Sequence, residues 1–138
     1  MKIKYLWLVM LGLILLAGVA LAKVKRADVG PSPDLTGQYD AYNFLYFKAS
    51  LPHVTVLLSY APDSPNMGET DPCGPRCFVI TIFKQLNPAP KQESMTLLHE
   101  MVHVYLDTKG IQELKMHGPK FQAEMRKLAD RGAFDQLW

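Results

Sequence analysis

ESMTLLHEMVHVYLD, residues 93 to 107, is the stretch on which the reading of this chain turns. Met95, Leu98, Val102, Tyr105 and Leu106 recur at helical intervals, and Leu97, Met101 and Val104 add apolar groups on other faces. That pattern predicts a helix buried on most of its sides, with Ser94 as its N-cap. Inside it stands His99-Glu100-Met101-Val102-His103. Residues i and i+4 of a helix share a face about one turn apart, so the two imidazoles point at one place. Neutral imidazole nitrogen is a good zinc ligand, and a glutamate directly after the first histidine reaches a water at the ion without ligating the ion itself. The chain holds only 4 His, and random placement would produce this spacing in roughly 0.4% of such chains. A buried helix with three ionisable groups in five positions also suffers a heavy desolvation cost unless something binds them. A metal ion is the simplest compensation.

Two histidines are too few for such a site. A catalytic zinc takes three protein ligands and leaves one position for water. The metzincin spacing fails, because Leu106 and Lys109 stand where it needs Gly and His. His117 is the favoured third ligand: it precedes Gly118-Pro119 at the mouth of the next helix, and a hairpin would return it to the ion. Glu113 and Asp107 are the alternatives. His53 opens a strand and reads as an ordinary surface or core histidine. The expected metal ligands are therefore His99, His103 and His117, and the expected catalytic residue is Glu100, as general base. Tyr105 reads as a core aromatic rather than an oxyanion donor. Asp107, Glu113 and Glu124 are candidates to accept the second ring N–H of the ligands.

Upstream, residues 38 to 51 place Ala41, Phe44, Leu45 and Lys48 at helical spacing, which predicts an aromatic-rich helix ended by Pro52. HVTVLLSY, 53 to 60, and CFVITIF, 77 to 83, read as strands. The intervening 61 to 76 is dense in Pro, Gly, Asp and Ser and reads as loop. NPAPKQ, 87 to 92, breaks the chain, 108 to 116 is a connection, and 118 to 132 is a last helix. Pro119 suits its first turn, Gly132 its end, and Phe121, Met125 and Leu128 its apolar stripe. The order helix, strand, strand, helix, helix is α+β with a short sheet. Cys73 and Cys77 enclose Gly-Pro-Arg, and outside the cytosol so close a pair is expected to oxidise and pin the loop to the second strand.

MKIKYLWLVMLGLILLAGVALA, 1 to 22, is a separate matter. Lys2 and Lys4 precede an uncharged run from Tyr5 to Ala22. That is the layout of a secretory signal, with small residues at Ala20 and Ala22, yet the run also reaches the length of a membrane-spanning helix. Export or N-terminal membrane anchoring is expected. Residues 23 to 34, rich in charge, Pro and Gly, read as linker, which leaves 35 to 138 as one domain with one modest core. The formal net charge of +2 gives no electrostatic reason to expect nucleic acid as a partner.

Thr96 to His103, followed by His117-Gly118-Pro119-Lys120-Phe121, resembles the SprT-like zinc metalloprotease family, which pairs an HExxH helix with a downstream H-G-x-x-F motif. Over about residues 35 to 130 the order of an aromatic-rich helix and two strands is similar too. The resemblance implies a small zincin-like metalloprotease domain, His117 as third ligand at the start of the C-terminal helix, Zn2+ as cofactor and a protein or peptide as substrate. The membrane-targeting leader departs from a family whose members are often cytosolic or nuclear, and no DNA-repair role is carried over. The expectations that compete with a peptidase are a non-catalytic zinc-binding interaction module and a membrane accessory protein without metal.

Overall fold

The computed structural model describes residues 29 to 137. The leader expected at 1 to 22, and residues 23 to 28 of the expected linker, lie outside them. No helix among the described residues is long and apolar enough to cross a membrane.

Among the described residues seven elements follow one another: β1 (Val29–Pro31), α1 (Pro33–Phe47), β2 (Thr55–Ser59), β3 (Gly68–Gly74), β4 (Cys77–Phe83), α2 (Pro90–Thr108) and α3 (Pro119–Asp130). The result is a small α+β domain of three helices and a four-stranded mixed sheet, in the order β1-β2-β4-β3. β2 and β4 run parallel, with Val56 beside Ile80 and Leu58 beside Ile82. β1 and β3 are antiparallel edge strands.

α1 begins five residues earlier than its aromatic content suggests. Pro33 occupies the first turn, where its missing N–H costs nothing, and the Ser32 side chain accepts from the Leu35 N–H at 3.3 Å. The segment Val29 to Asp34, expected as linker, is therefore a strand and a helix start. The buried stripe is also a different one. Leu35, Tyr39, Asn43 and Phe47 face the core at four-residue steps, while Phe44 is 74% and Leu45 53% exposed. The helix stops at Phe47, before Pro52, because the Asn43 amide bonds both the N–H and the carbonyl of Leu51 and closes a turn through Lys48 and Ala49.

The larger correction is β3. GETDPCG lies in the stretch expected to be loop, yet it pairs with β4 from Gly68 beside Ile82 to Gly74 beside Cys77. Gly and Pro are tolerated there because an edge strand has one unpaired side, and the register shifts between Pro72 and Gly74. The Cys73–Cys77 disulfide closes this hairpin, the pairing foreseen from the spacing.

Along β4, Phe78, Ile80 and Ile82 are buried and alternate with half-buried Val79 and Thr81. One buried cluster joins them and Val56 to Leu35, Tyr39 and Phe47 of α1, to Leu97, Leu98, Met101, Val102 and Val104 of α2, and to Phe121 and Leu128 of α3. α2 is the central piece. It starts at Pro90 rather than beside Ser94; Gln92 accepts from the Ala89 N–H, and the Ser94 hydroxyl stands inside the helix, 3.0 Å from the Pro90 carbonyl and from Gln38.

Candidate metal centre

α2 runs under the sheet edge with its buried face toward the core, which turns His99 and His103 toward a cleft. The chain must then reverse to return a third group. Gly110, in the left-handed region at φ 66°, makes that reversal: its N–H bonds the Asp107 carbonyl, and the next N–H, of Ile111, bonds the Leu106 carbonyl. This is the six-to-one, five-to-two pattern with which glycine ends helices. The segment after it runs back along α2 and delivers His117 just ahead of α3.

The three imidazoles meet. His117 Nε2 is 3.0 Å from His99 Nε2 and 3.3 Å from His103 Nε2. One ligand atom from each ring lies within 4.8 Å of the others, close enough for the three to bind one metal ion. Two nitrogens sharing a tetrahedral ion at about 2.0–2.1 Å stand about 3.3 Å apart, so the spacing fits. The donor set fits as well. One nitrogen facing two others has a single proton or lone pair to offer, whereas a cation accepts all three lone pairs. Burial, then the neighbouring rings His103 and His117, push the His99 pKa down to about 4. Burial and His117 lower that of His103 against the pull of Asp107. At neutral pH both rings are thus in the uncharged form that ligates.

Phe121 explains the second half of the motif. Its ring, 2% exposed, packs against all three imidazoles with centroids 4.8, 4.6 and 4.5 Å from His99, His103 and His117. Glu113, an alternative third ligand on sequence, has another job. Its carboxylate accepts from the backbone N–H of Lys120 at 2.6 Å and of Phe121 at 3.0 Å. It thereby caps α3 from outside, where the N-cap Gly118 offers no side chain.

Glu100 is buried at 5% exposure, on the cleft wall beside the histidines. The Thr70 hydroxyl of β3 donates to its Oε2 at 2.7 Å. Burial pushes its carboxyl up to about 7; the Thr70 hydrogen bond opposes this, and the charges of Glu69 and Asp71 add to it. Thr70 lay in the stretch expected to be loop, and only the register of β3 could have revealed it.

The remaining candidates fall elsewhere. Asp107 lines the cleft but is outside the histidine cluster. Tyr105 packs on Phe47 at 5.8 Å, as a core aromatic does. Glu124 pairs with Lys127 at 2.6 Å, and His53 pairs with Asp40 at 3.1 Å on the surface. The cleft holds about 690 Å³; Met95, Met116, Met125 and Phe134 supply apolar walls, and its charged lining residues, Glu69, Asp71, Glu100 and Asp107, are all acidic.

The fold and site thus define a small α+β domain with a three-histidine cluster able to hold a metal ion. Compared with models of protein families the chain finds no match, and compared with curated proteins it finds none either.

Proposed function

We propose that this chain is a zinc-dependent metallopeptidase with a zincin-like domain of the SprT-like type, exported or held at a membrane by its N-terminal segment. The observation that carries the reading is the convergence of three imidazole nitrogens beside a buried carboxylate on one open cleft. His99, His103 and His117 would hold the ion. A zinc ion so held supplies Lewis acidity, polarising a peptide carbonyl and lowering the pKa of a water.

The protein's own groups do the rest. Glu100, raised toward neutrality by its burial, suits a group that must both take and return a proton near pH 7. Its carboxylate takes a proton from the attacking water and delivers it to the departing amine nitrogen. Phe121 and the core behind it keep the imidazoles packed, and the apolar walls of the cleft give a peptide side chain a place to sit. An acidic lining favours a neutral or basic segment over a polyanion. Among the described residues the cluster offers three candidate ligands, which supports an open catalytic site over a closed structural one. The Cys73–Cys77 disulfide supports an oxidising compartment.

The test is metal analysis of the purified protein together with cleavage of a peptide library. Stoichiometric zinc, hydrolysis lost on chelation and restored by zinc, and a Glu100→Gln variant that keeps the metal but loses turnover are the expected results. Bound zinc without hydrolysis would favour a non-catalytic zinc module, and absence of metal would overturn the reading altogether.

A further inference from the structure

We infer that Thr70, on the edge strand β3, is a positioning residue that sets the side-chain conformation of Glu100 from across the sheet–helix boundary. Its kinetic consequence rests on the peptidase reading; the contact itself does not.

A glutamate on a helix has three side-chain torsions, of which the helix itself restricts mainly the first. Thr96, one turn before Glu100, spends its hydroxyl on Asn87 Oδ1 at 2.6 Å. The polar group that meets the Glu100 carboxylate comes from the sheet instead. Thr70 Oγ1 donates to Oε2 at 2.7 Å and stands 3.4 Å from the Glu100 carbonyl.

A second position on the same strand face makes that approach possible. Side chains two apart on a strand share a face, and two residues before Thr70 is Gly68. A Cβ there would lie 3.0 Å from Glu100 Oε1, 3.1 Å from its Cγ and 2.7 Å from Thr96 Cγ2. Without one, the strand lies flush against the glutamate stem, so one residue leaves room and the next on that face supplies the donor. The register holds both in place, with Thr70 beside Ile80 and Gly68 beside Ile82.

A carboxylate displaced by about 1 Å from the reacting water can lose about 100-fold in rate. Thr70→Val keeps the β-branched shape and removes the hydroxyl; Thr70→Ser keeps the hydroxyl. In the full chain loaded with zinc, on a peptide the wild type cleaves, Thr70→Val should lower kcat by about 10- to 100-fold with KM within about twofold and zinc content unchanged. Thr70→Ser should recover kcat to within about threefold of wild type. An unchanged kcat in Thr70→Val, or an equal loss in both variants, would overturn the inference.

A second arm needs no turnover. In the metal-free chain, Thr70→Val should shift the urea midpoint in the presence of Glu100 at least twice as far as in a Glu100→Ala background, the mark of coupled neighbours. Equal shifts in the two backgrounds overturn the inference. A wild type that cleaves nothing overturns the peptidase reading and leaves this cycle to decide on Thr70.

Discussion

Tyr39 shows how one buried side chain ties local to global structure. It is fully buried, and its hydroxyl donates to the Pro52 carbonyl at 2.7 Å, which fastens α1 to the chain entering β2. Burial, with the nearby Asp40 charge, raises its pKa above the ordinary 10.0. The folded state therefore holds the phenolic proton more tightly than the unfolded one. The stability this contributes is complete below about pH 10 and is lost as pH rises above it. Unfolding temperature should fall more steeply between pH 9 and 11 in the wild type than in Tyr39→Phe, although that variant is less stable at pH 8. Parallel curves would show that Tyr39 carries none of the alkaline sensitivity. At this scale the sequence was most legible for the histidines: His99 and His103 follow from helix periodicity alone. Thr70 did not, because nothing local distinguishes a threonine that reaches a glutamate thirty positions on.

Two elements set the third histidine and the cleft wall. α3 has no capping side chain of its own at Gly118, and the Glu113 carboxylate takes over two of its first N–H groups. A negative charge there is also favoured by the helix dipole. Glu113→Ala should cost about 1 kcal/mol of stability and weaken zinc binding about 10- to 100-fold by loosening His117, read by urea unfolding and competition with a chelating dye. Unaltered zinc affinity would separate the cap from the site. The hairpin β3–β4 is closed by Cys73–Cys77, and so short a covalent loop constrains the unfolded chain by about 2 kcal/mol. Replacing both cysteines with Ser should lower stability by that order and, under the proposed peptidase function, lower activity more than zinc content, since β3 carries Thr70. Helix and strand types were readable for α1, β2, β4, α2 and α3. The face of α1 was not, because aromatics ring the helix and periodicity cannot choose between them. β3 was hidden because Gly68, Pro72 and Gly74 spell a loop, and only pairing with β4 makes them a strand.

For the molecule as a whole, the histidine cluster joins two pieces that chain connectivity leaves apart: His99 and His103 on α2, and His117 on the segment leading into α3. An ion bound there binds the native state alone, and at about 1,000 times its dissociation constant it adds about 4 kcal/mol. Zinc should therefore raise the unfolding temperature by about 10 to 20 °C, and chelation should reverse the gain. His117→Ala should abolish the zinc-dependent increment while leaving the metal-free unfolding temperature within a few degrees of wild type. An increment that survives that substitution would place the stabilising ion elsewhere.

Legible in the chain alone is what repeats at short range: the buried helix with histidines one turn apart, the apolar strand β4, the proline and glycine that punctuate the two ends of α3, and a cysteine pair too close to miss one another. These follow from periodicity, backbone preference and proximity along the chain. Tertiary structure alone decided what depends on distant partners. It turned GETDPCG into an edge strand, chose the buried face of α1, assigned Glu113 to a helix end rather than to the metal cluster, and set a threonine against the buried glutamate. Each of those outcomes is fixed by a hydrogen bond or a packed surface contributed by another element, and no local pattern encodes where that element will come to rest.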